Sequence, residues 1–299
     1  MPLPIVSHHA YEVDIGPHVF PMAKYRLVRE RLLAECTIAA RDVHEPDPVT
    51  DDDVLLVHTP AYLQKLREER LSYQEELTLE VPFSPPLRDA MWLMTGGTAL
   101  AARLALERGI AVHLGGGFHH AFPDHGEGFC LVNDVAIAIR MLQRDRAIER
   151  ALVVDLDVHH GNGTAAVFRD DPTVFTFSMH QQHNYPAWKP ASDLDIGLAD
   201  HTGDEPYLDA LGHHLPEIVG RHRPDLVFYL AGADPYEHDQ LGGLALTRDG
   251  LRKRDAFVLN AMRAAAVPVA AVLAGGYAVL QDDTVEIHCN TVRAAAAVR

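Results

Sequence analysis

The sequence predicts an α/β protein, a single three-layer sandwich over residues 1–299 with a mostly parallel central sheet. Three observations carry that prediction. From about residue 110 onward, short apolar runs alternate with stretches of helical spacing. The runs are rich in Val, Leu, Ile, Phe and Ala and are bounded by Gly or by Pro224 and Pro268, as strands buried on both faces are. Five of them end in a burst of Gly, His, Asp or Tyr. In an open parallel sheet ligands bind at the carboxyl ends of the strands, so these polar residues are expected to converge on a site there.

In chain order, apolar residues at helical spacing predict helices over 23–35 and 60–69, with 45–53 and the proline-rich 80–88 as loops. A helix over 89–108 feeds a strand ending at Leu114, followed by Gly115, Gly116, Gly117, Phe118, His119 and His120. A helix over 133–143 precedes the run that opens at Ala151 and ends in Asp155, Leu156, Asp157, Val158, His159 and His160. The run 174–177 ends in Ser178, Met179 and His180. A helix over 206–219 leads to the run 225–231, closed by Gly232, Ala233 and Asp234, and one over 249–265 leads to the run 267–274, closed by Gly275, Gly276 and Tyr277. Right-handed crossovers would join these units. The chain has no internal repeat and no low-complexity linker.

Composition excludes several classes. Lys and Arg number 26 against 42 Asp and Glu, a formal charge of −16, which argues against a nonspecific grip on nucleic acid. An apolar fraction of 47% with 23% charged residues is that of a globular chain, neither disordered nor fibrous. No apolar stretch reaches the roughly 18 residues that would span a bilayer, and residues 1–10 lack the basic-then-apolar order of a secretory signal. Cys36, Cys130 and Cys289 are odd in number and far apart, which fits free thiols in a cytoplasmic protein. Histidine pairs such as His8-His9 and His213-His214 sit in no partner pattern and read as surface or structural residues.

On an extended chain Asp155, Asp157 and His159 would share one face while Leu156 and Val158 take the other. Three hydrophilic groups on one side of a buried strand are costly unless they bind something. Asp and His are zinc ligands, and a catalytic zinc takes three protein ligands and leaves a position for water. Asp157 and His159 are therefore assigned as ligands, with Asp155 one step deeper as a hydrogen-bond acceptor. Asp234 is the best placed third ligand, because Gly232 and Ala233 leave its approach open; alone, an Asp after a strand reads as a turn or N-cap residue. His119 and His120 suit a proton relay. Tyr277 either donates to an oxyanion or packs as an aromatic. No serine nucleophile elbow, Cys-x-x-Cys pattern or phosphate loop is present.

The segments Gly116-Gly117-Phe118-His119-His120-Ala121, Gly128-Phe129-Cys130-Leu131-Val132-Asn133-Asp134, 155–164, Gly232-Ala233-Asp234 with Asp239-Gln240-Leu241-Gly242, and Gly275-Gly276-Tyr277 together resemble the zinc-dependent histone deacetylase family. That family shares the arginase/deacetylase fold with acetylpolyamine amidohydrolases and acetoin-utilisation proteins. His18-Val19-Phe20-Pro21, residues 57–63, and Pro82-Phe83-Ser84-Pro85 followed by Gly96-Gly97-Thr98 are most similar to its class IV branch and bacterial relatives. The resemblance implies zinc on Asp157, His159 and Asp234, with iron(II) as the alternative metal. It implies His119 and His120 as general acid/base, Tyr277 as the group that polarises the acyl carbonyl, and Gly128 and Phe129 in an acyl-lysine tunnel. Tyr185, Pro186 and Trp188 are further candidates for the tunnel wall. A structural potassium is implied too, on the side chains of Asp155 and Ser178 and the carbonyls of Asp157, His159 and Met179.

The sequence departs from the class I pattern at two points. Asn162 stands where those enzymes carry an Asp paired with the second histidine, so a less basic His120 is expected, and the rim aspartate that clamps a peptide backbone has no counterpart. A binuclear arginase-like site is disfavoured because the position two after His159 is Gly161. The expected activity is removal of acetyl or longer fatty acyl groups from acyl-lysine in proteins or peptides. The alternatives are deacetylation of acetylpolyamines or other small acylated amines and, in a different class, a silent metal or acyl-lysine binding module.

Overall fold

Among the described residues eight strands lie in one sheet, and every pairing between them is parallel. The computed structural model describes residues 2–298. In chain order the elements are β1 (Ile5–Val6), α1 (Lys24–Ala34), β2 (Val43–His44), α2 (Asp51–Val54), α3 (Pro60–Arg67), α4 (Tyr73–Leu79), α5 (Pro85–Arg108) and β3 (Ile110–His113). There follow α6 (Asp134–Arg144), β4 (Ala151–Asp155), α7 (Asn162–Val167), β5 (Val174–Gln181), β6 (Leu194–Leu198), α8 (Asp204–His222), β7 (Leu226–Leu230), α9 (Arg248–Ala265), β8 (Val269–Val272) and α10 (Gln281–Val298). The strand order is β2-β1-β3-β8-β7-β4-β5-β6.

Alternate residues of the central strands feed two separate cores, which is why these runs stay apolar up to Asp155 at the end of β4. Leu152 and Val154, Val227 and Tyr229, and Val269 and Ala271 pack in one core with Leu211, Leu259 and Val292 from α8, α9 and α10. Ala151 and Val153, Phe228 and Leu230, and Ala270 and Val272 pack in the other with Ala102 and Ile139 from α5 and α6. Helices on both faces of a parallel sheet make the three-layer sandwich that the alternation predicts. Each buried Val, Leu or Phe contributes about 1.5–3 kcal/mol.

Several elements differ from the sequence expectation. Helix α5 opens at Pro85 instead of 89, because Pro85 and Pro86 occupy the first turn, where no N–H needs a partner, and Ser84 caps Leu87 N–H. Helix α4 carries a capping box, Ser72 with Glu75, inside a stretch given no helix. Strand β5 runs on to Gln181, so Ser178 and Met179 are strand residues and not the loop after it. Strands β1 and β2 hold two residues each, too few to show a period. Helix α10 was hidden because Thr284, His288 and Thr291 on its buried face interrupt the apolar spacing.

Candidate active site

The ends of four contiguous strands at the centre of the sheet, β3, β8, β7 and β4, carry the candidate residues. His119 and His120 follow β3, Asp155 ends β4, Asp157 and His159 follow it, Asp234 follows β7 and Tyr277 follows β8. The expected side-chain alternation holds around Asp157, but the strand itself stops at Asp155. Beyond it, Asp155 Oδ1 accepts the Asp157 N–H at 3.2 Å and Asp157 Oδ1 accepts the His159 N–H at 3.0 Å. These carboxylate-to-backbone turns replace the strand ladder. They leave Leu156 and Val158 buried in the core.

Asp157, His159 and Asp234 offer ligand atoms that all lie within 4.8 Å of one another, and all three are buried. His159 Nδ1 is 3.0 Å from Asp157 Oδ1 and 3.4 Å from Asp234 Oδ2. The outer oxygens are spoken for: Gly275 N–H donates to Asp157 Oδ2 and Val158 N–H to Asp234 Oδ1, both at 2.8 Å. Asp234 Oδ2 is buried without a hydrogen-bond partner. A Cβ on Gly275 would stand 1.9 Å from that same oxygen, so only glycine leaves room beside it. Burial and the Asp157 charge push the Asp234 carboxyl up to about 7. Burial opposes a charge on His159, yet its contacts with Asp157 and Asp234 raise it to about 10. A pocket that stabilises positive charge among one imidazole and two carboxylates, with one oxygen left free, fits a divalent cation of the zinc type.

The two adjacent histidines are buried and chemically unequal. His119 Nδ1 lies 2.7 Å from Asp155 Oδ2, His120 Nδ1 lies 2.7 Å from Asn162 Oδ1, and the two Nε2 atoms are 3.1 Å apart. Burial lowers His119, but Asp155 and Asp157 outweigh it and bring its pKa up to about 9. Burial and the neighbouring His119 and His159 hold His120 well below the usual histidine range. Groups whose pKa values are driven apart take opposite acid and base parts.

Tyr277 is held by its backbone: its N–H donates to Asp239 Oδ2 at 2.6 Å and its carbonyl accepts from Gln240 Nε2 at 2.9 Å. Burial and the charges of Asp157 and Asp234 raise its pKa well above the ordinary tyrosine value, so the hydroxyl stays a proton donor. His120, Gly128, Phe129, His159, Tyr185 and Tyr277 line a cavity of about 160 Å³, with Glu80 and Leu241. A second space of about 20 Å³ lies deeper among Gly116, Phe118, His119, Cys130, Asp157 and Gly275. A larger groove of about 750 Å³ beside Val49 and Trp92 contains none of these groups. Trp188 is 62% exposed and stacks on Phe122 at 5.9 Å, outside the cavity lining. Asp155 and Ser178 are register partners across β4 and β5, and Met179 is buried beside them.

A sequence profile described as the histone deacetylase domain matches residues 18–292, a span that contains every residue of this site. The chain belongs to the histone deacetylase family. It is 44% identical over 296 residues to an uncharacterised protein of Picosynechococcus, covering 99% of both chains. It is 32% identical to Histone deacetylase 2 of Arabidopsis thaliana, over 87% of this chain and 70% of that one. The fold superposes on the crystal structure of the HDA15 HD domain with a TM-score of 0.85 at 22% identity, covering 99% of this chain and 90% of that one.

In this histone deacetylase-family chain the site rests on buried supports that sequence reasoning did not identify. Asp134, at the start of α6, accepts the N–H groups of Gly117 and Phe118 at 3.0 and 2.7 Å and the Thr98 hydroxyl at 2.5 Å, fixing the loop that presents the histidines. His113 lies 3.0 Å from Thr98 Oγ1 and 2.8 Å from the Tyr11 hydroxyl, which extends the same chain. Arg254 on α9 donates to the carbonyls of Leu156 and Gly232 at 3.2 and 2.7 Å, tying together the two loops that carry Asp157 and Asp234. Lys24 on α1 is buried, donates to Ala274 O at 2.7 Å and sits 5.6 Å from the Tyr277 ring. Burial lowers it to about 8 while Asp234 and Asp157 hold it up. A helical residue that points its charge inward has the same sequence spacing as its apolar neighbours, so Arg254 and Lys24 gave no signal. A further cluster joins buried His160 and His180 to the partly exposed Asp195, with hydrogen bonds from His160 Nε2 to Asp195 and between His180 Nδ1 and Ser178, while His160 Nδ1 is buried without a partner. Among the described residues Cys36, Cys130 and Cys289 are free thiols, and no described helix is long and apolar enough to cross a membrane.

Proposed function

We propose that the protein is a metal-dependent amidohydrolase that removes short acyl groups, acetyl first, from the side-chain amine of acyl-lysine in proteins or peptides. The observation that carries this reading is the meeting at one set of strand ends of a buried Asp157-His159-Asp234 cluster, a histidine pair in contact through Nε2 and resting on unlike partners, and Tyr277 lining the same cavity. Zinc on Asp157, His159 and Asp234, or iron(II) in its place, would supply Lewis acidity at the acyl carbonyl and a water of lowered pKa. His120, neutral, takes the proton of the attacking water at Nε2. A histidine of the pair then gives a proton to the departing amine, and Asp155 on His119 Nδ1 together with the 3.1 Å contact between the two Nε2 atoms steadies the charge the pair carries in between. Tyr277 donates to the oxygen on which negative charge develops. The products are a carboxylic acid and a free amine.

The two cavities bear on chain length. The deeper space, about 20 Å³, is walled by His119, His120, Asp157 and His159, and the outer cavity adds only about 160 Å³, which suits an acetyl group better than a long acyl chain. The structural potassium is assigned to Asp155, Ser178 and the carbonyls of Asp157, His159 and Met179, on family resemblance and on the Asp155–Ser178 register. Placement beside the class IV branch rests on the likeness of residues 18–21, 57–63, 82–85 and 96–98. Release of free amine from lysine peptides carrying acetyl, octanoyl and myristoyl groups tests the reading. Acetyl should be turned over best, and Tyr277→Phe should lower kcat about 10²–10³-fold with metal content kept. Faster myristoyl release would overturn the short-chain reading. No turnover on any peptide would move small acylated amines to the front, and no turnover on those either at full metal occupancy would leave a silent binding module.

A second reading is favoured by charge at the wall. Glu80 lines the cavity, and its carboxyl is raised by burial and by the charge of Glu127, whose side chain lies 3.2 Å from the Tyr185 hydroxyl. Two carboxylates close enough to repel each other suit a substrate with a second ammonium, as in an acylated polyamine. A higher kcat/KM for acetylpolyamines than for acetyl-lysine peptides would decide for it.

A further inference from the structure

His119 and His120 lean on different partners, and the difference exposes a weakness that the structure covers. A carboxylate only accepts hydrogen bonds, so Asp155 leaves His119 Nδ1 no choice but to carry a proton. Asn162 is an amide, with an acceptor and a donor at the same reach. With its oxygen toward His120 Nδ1, the ring is protonated at Nδ1 and Nε2 keeps the lone pair that general-base action needs. With the amide turned over, Nδ2 would donate to Nδ1 and the proton would move to Nε2, blocking the base.

The group that decides between them stands behind the amide. Asn162 Nδ2 donates to Glu127 Oε1 at 2.6 Å. A carboxylate has no proton to offer, so the turned amide would set oxygen against oxygen. Glu127 is itself held, by the Tyr185 hydroxyl at 3.2 Å, by His125 Nε2 at 3.4 Å and by backbone bonds in both directions with Cys130. Its side chain is 15% exposed beside a site rich in carboxylates, a costly place for a charge that nothing uses.

We propose that Glu127 is a positioning residue for the acid/base pair: by accepting from the Asn162 amide it fixes the amide oxygen on His120 Nδ1 and keeps Nε2 as the unprotonated nitrogen. The role rests on the hydrolytic reading above, and the test lets the two fail separately. Zinc-loaded protein labelled with 15N-histidine reports the His120 tautomer without any substrate, the signal being assigned by its loss in His120→Ala. The wild type shows the Nδ1–H form alone, and Glu127→Met shows a mixture. On the acetyl-lysine peptide, Glu127→Met lowers kcat about 10-fold or more with KM within about twofold and zinc content unchanged. Glu127→Gln, whose amide offers a donor as well as an acceptor, no longer forbids the turned Asn162 and also shows a mixture, with kcat between those of wild type and Glu127→Met. Asn162→Asp places two carboxylates face to face and loses at least as much as Glu127→Met; adding Glu127→Gln reverses donor and acceptor and restores kcat to within about threefold. A wild-type tautomer in Glu127→Met overturns the proposal, as does a rise in KM at unchanged kcat, which would assign Glu127 to the Tyr185 wall alone. An inactive wild type whose His120 tautomer still depends on Glu127 would sink the hydrolytic reading and keep the positioning role.

Discussion

At the floor of the pocket the side chains are fixed by buried hydrogen bonds from backbone and from neighbouring loops, whereas at its wall and rim they lean on one another or on solvent. Asp157 takes N–H groups from His159 and Gly275, Asp234 takes that of Val158, and Arg254 ties their loops. Tyr185 has its hydroxyl on Glu127 alone, Glu80 is exposed, and Trp188 stacks outward on Phe122. The floor is preorganised for one chemistry and the rim is adjustable. Reaction type and substrate choice are therefore written in different parts of the molecule.

Variants can break that contrast, beginning where the effect is largest. Asp234→Ala removes the one oxygen left free for a cation, so metal content measured by elemental analysis should fall to background and turnover with it. Retention of a full equivalent of metal would take Asp234 out of the ligand set. Arg254→Met removes the donor to the Leu156 and Gly232 carbonyls and the cation beside Asp255, which keeps only the Tyr229 and Thr291 hydroxyls, and should cost about 3–5 kcal/mol in denaturant unfolding. A loss below ~1 kcal/mol would show that the two loops hold themselves. Next comes a slope with pH. Burial holds His113 down to about 3, while an unfolded histidine binds its proton near 6.5. Below 6.5 the unfolded chain takes up a proton that the folded chain refuses. Stability therefore falls with pH through that window, by up to ~1.4 kcal/mol per unit from this residue. In His113→Gln the slope between pH 6.5 and 5 should be shallower by about that amount, and an unchanged slope would mean that His113 is protonated when folded. The smallest effect belongs to the rim. Glu80→Gln should change KM for a cationic substrate about threefold and leave kcat alone; a fall in kcat would extend the floor to the rim.

The legible part of this protein is the part where chemistry restricts residue type. Asp157, His159 and Asp234 were readable because two carboxylates and an imidazole after buried strands have few other uses, and the central strands because both faces are apolar. The supports were not readable, since Lys24, Asp134 and Arg254 do their work by direction and not by position. A helix wheel shows that they face inward but not that a carbonyl awaits them. Asn162 was readable only halfway. The expectation of a weaker His120 considers the amide alone, and Glu127, standing 35 residues earlier, meets Asn162 only once the chain has folded. Helix α10 escaped notice for the opposite reason, polar residues placed where an apolar face was sought.

The sheet order has a consequence for how the protein is made. Strand β8 is the last to be synthesised, yet it lies between β3 and β7, at the middle of the sheet. Without β8, β2-β1-β3 and β7-β4-β5-β6 share no strand pairing. Lys24 must likewise wait for Ala274, 250 residues later, before its ammonium finds a carbonyl. The histidines that follow β3 and the Asp157, His159 and Asp234 cluster that follows β4 and β7 are thus carried on strands that only β8 joins by direct pairing.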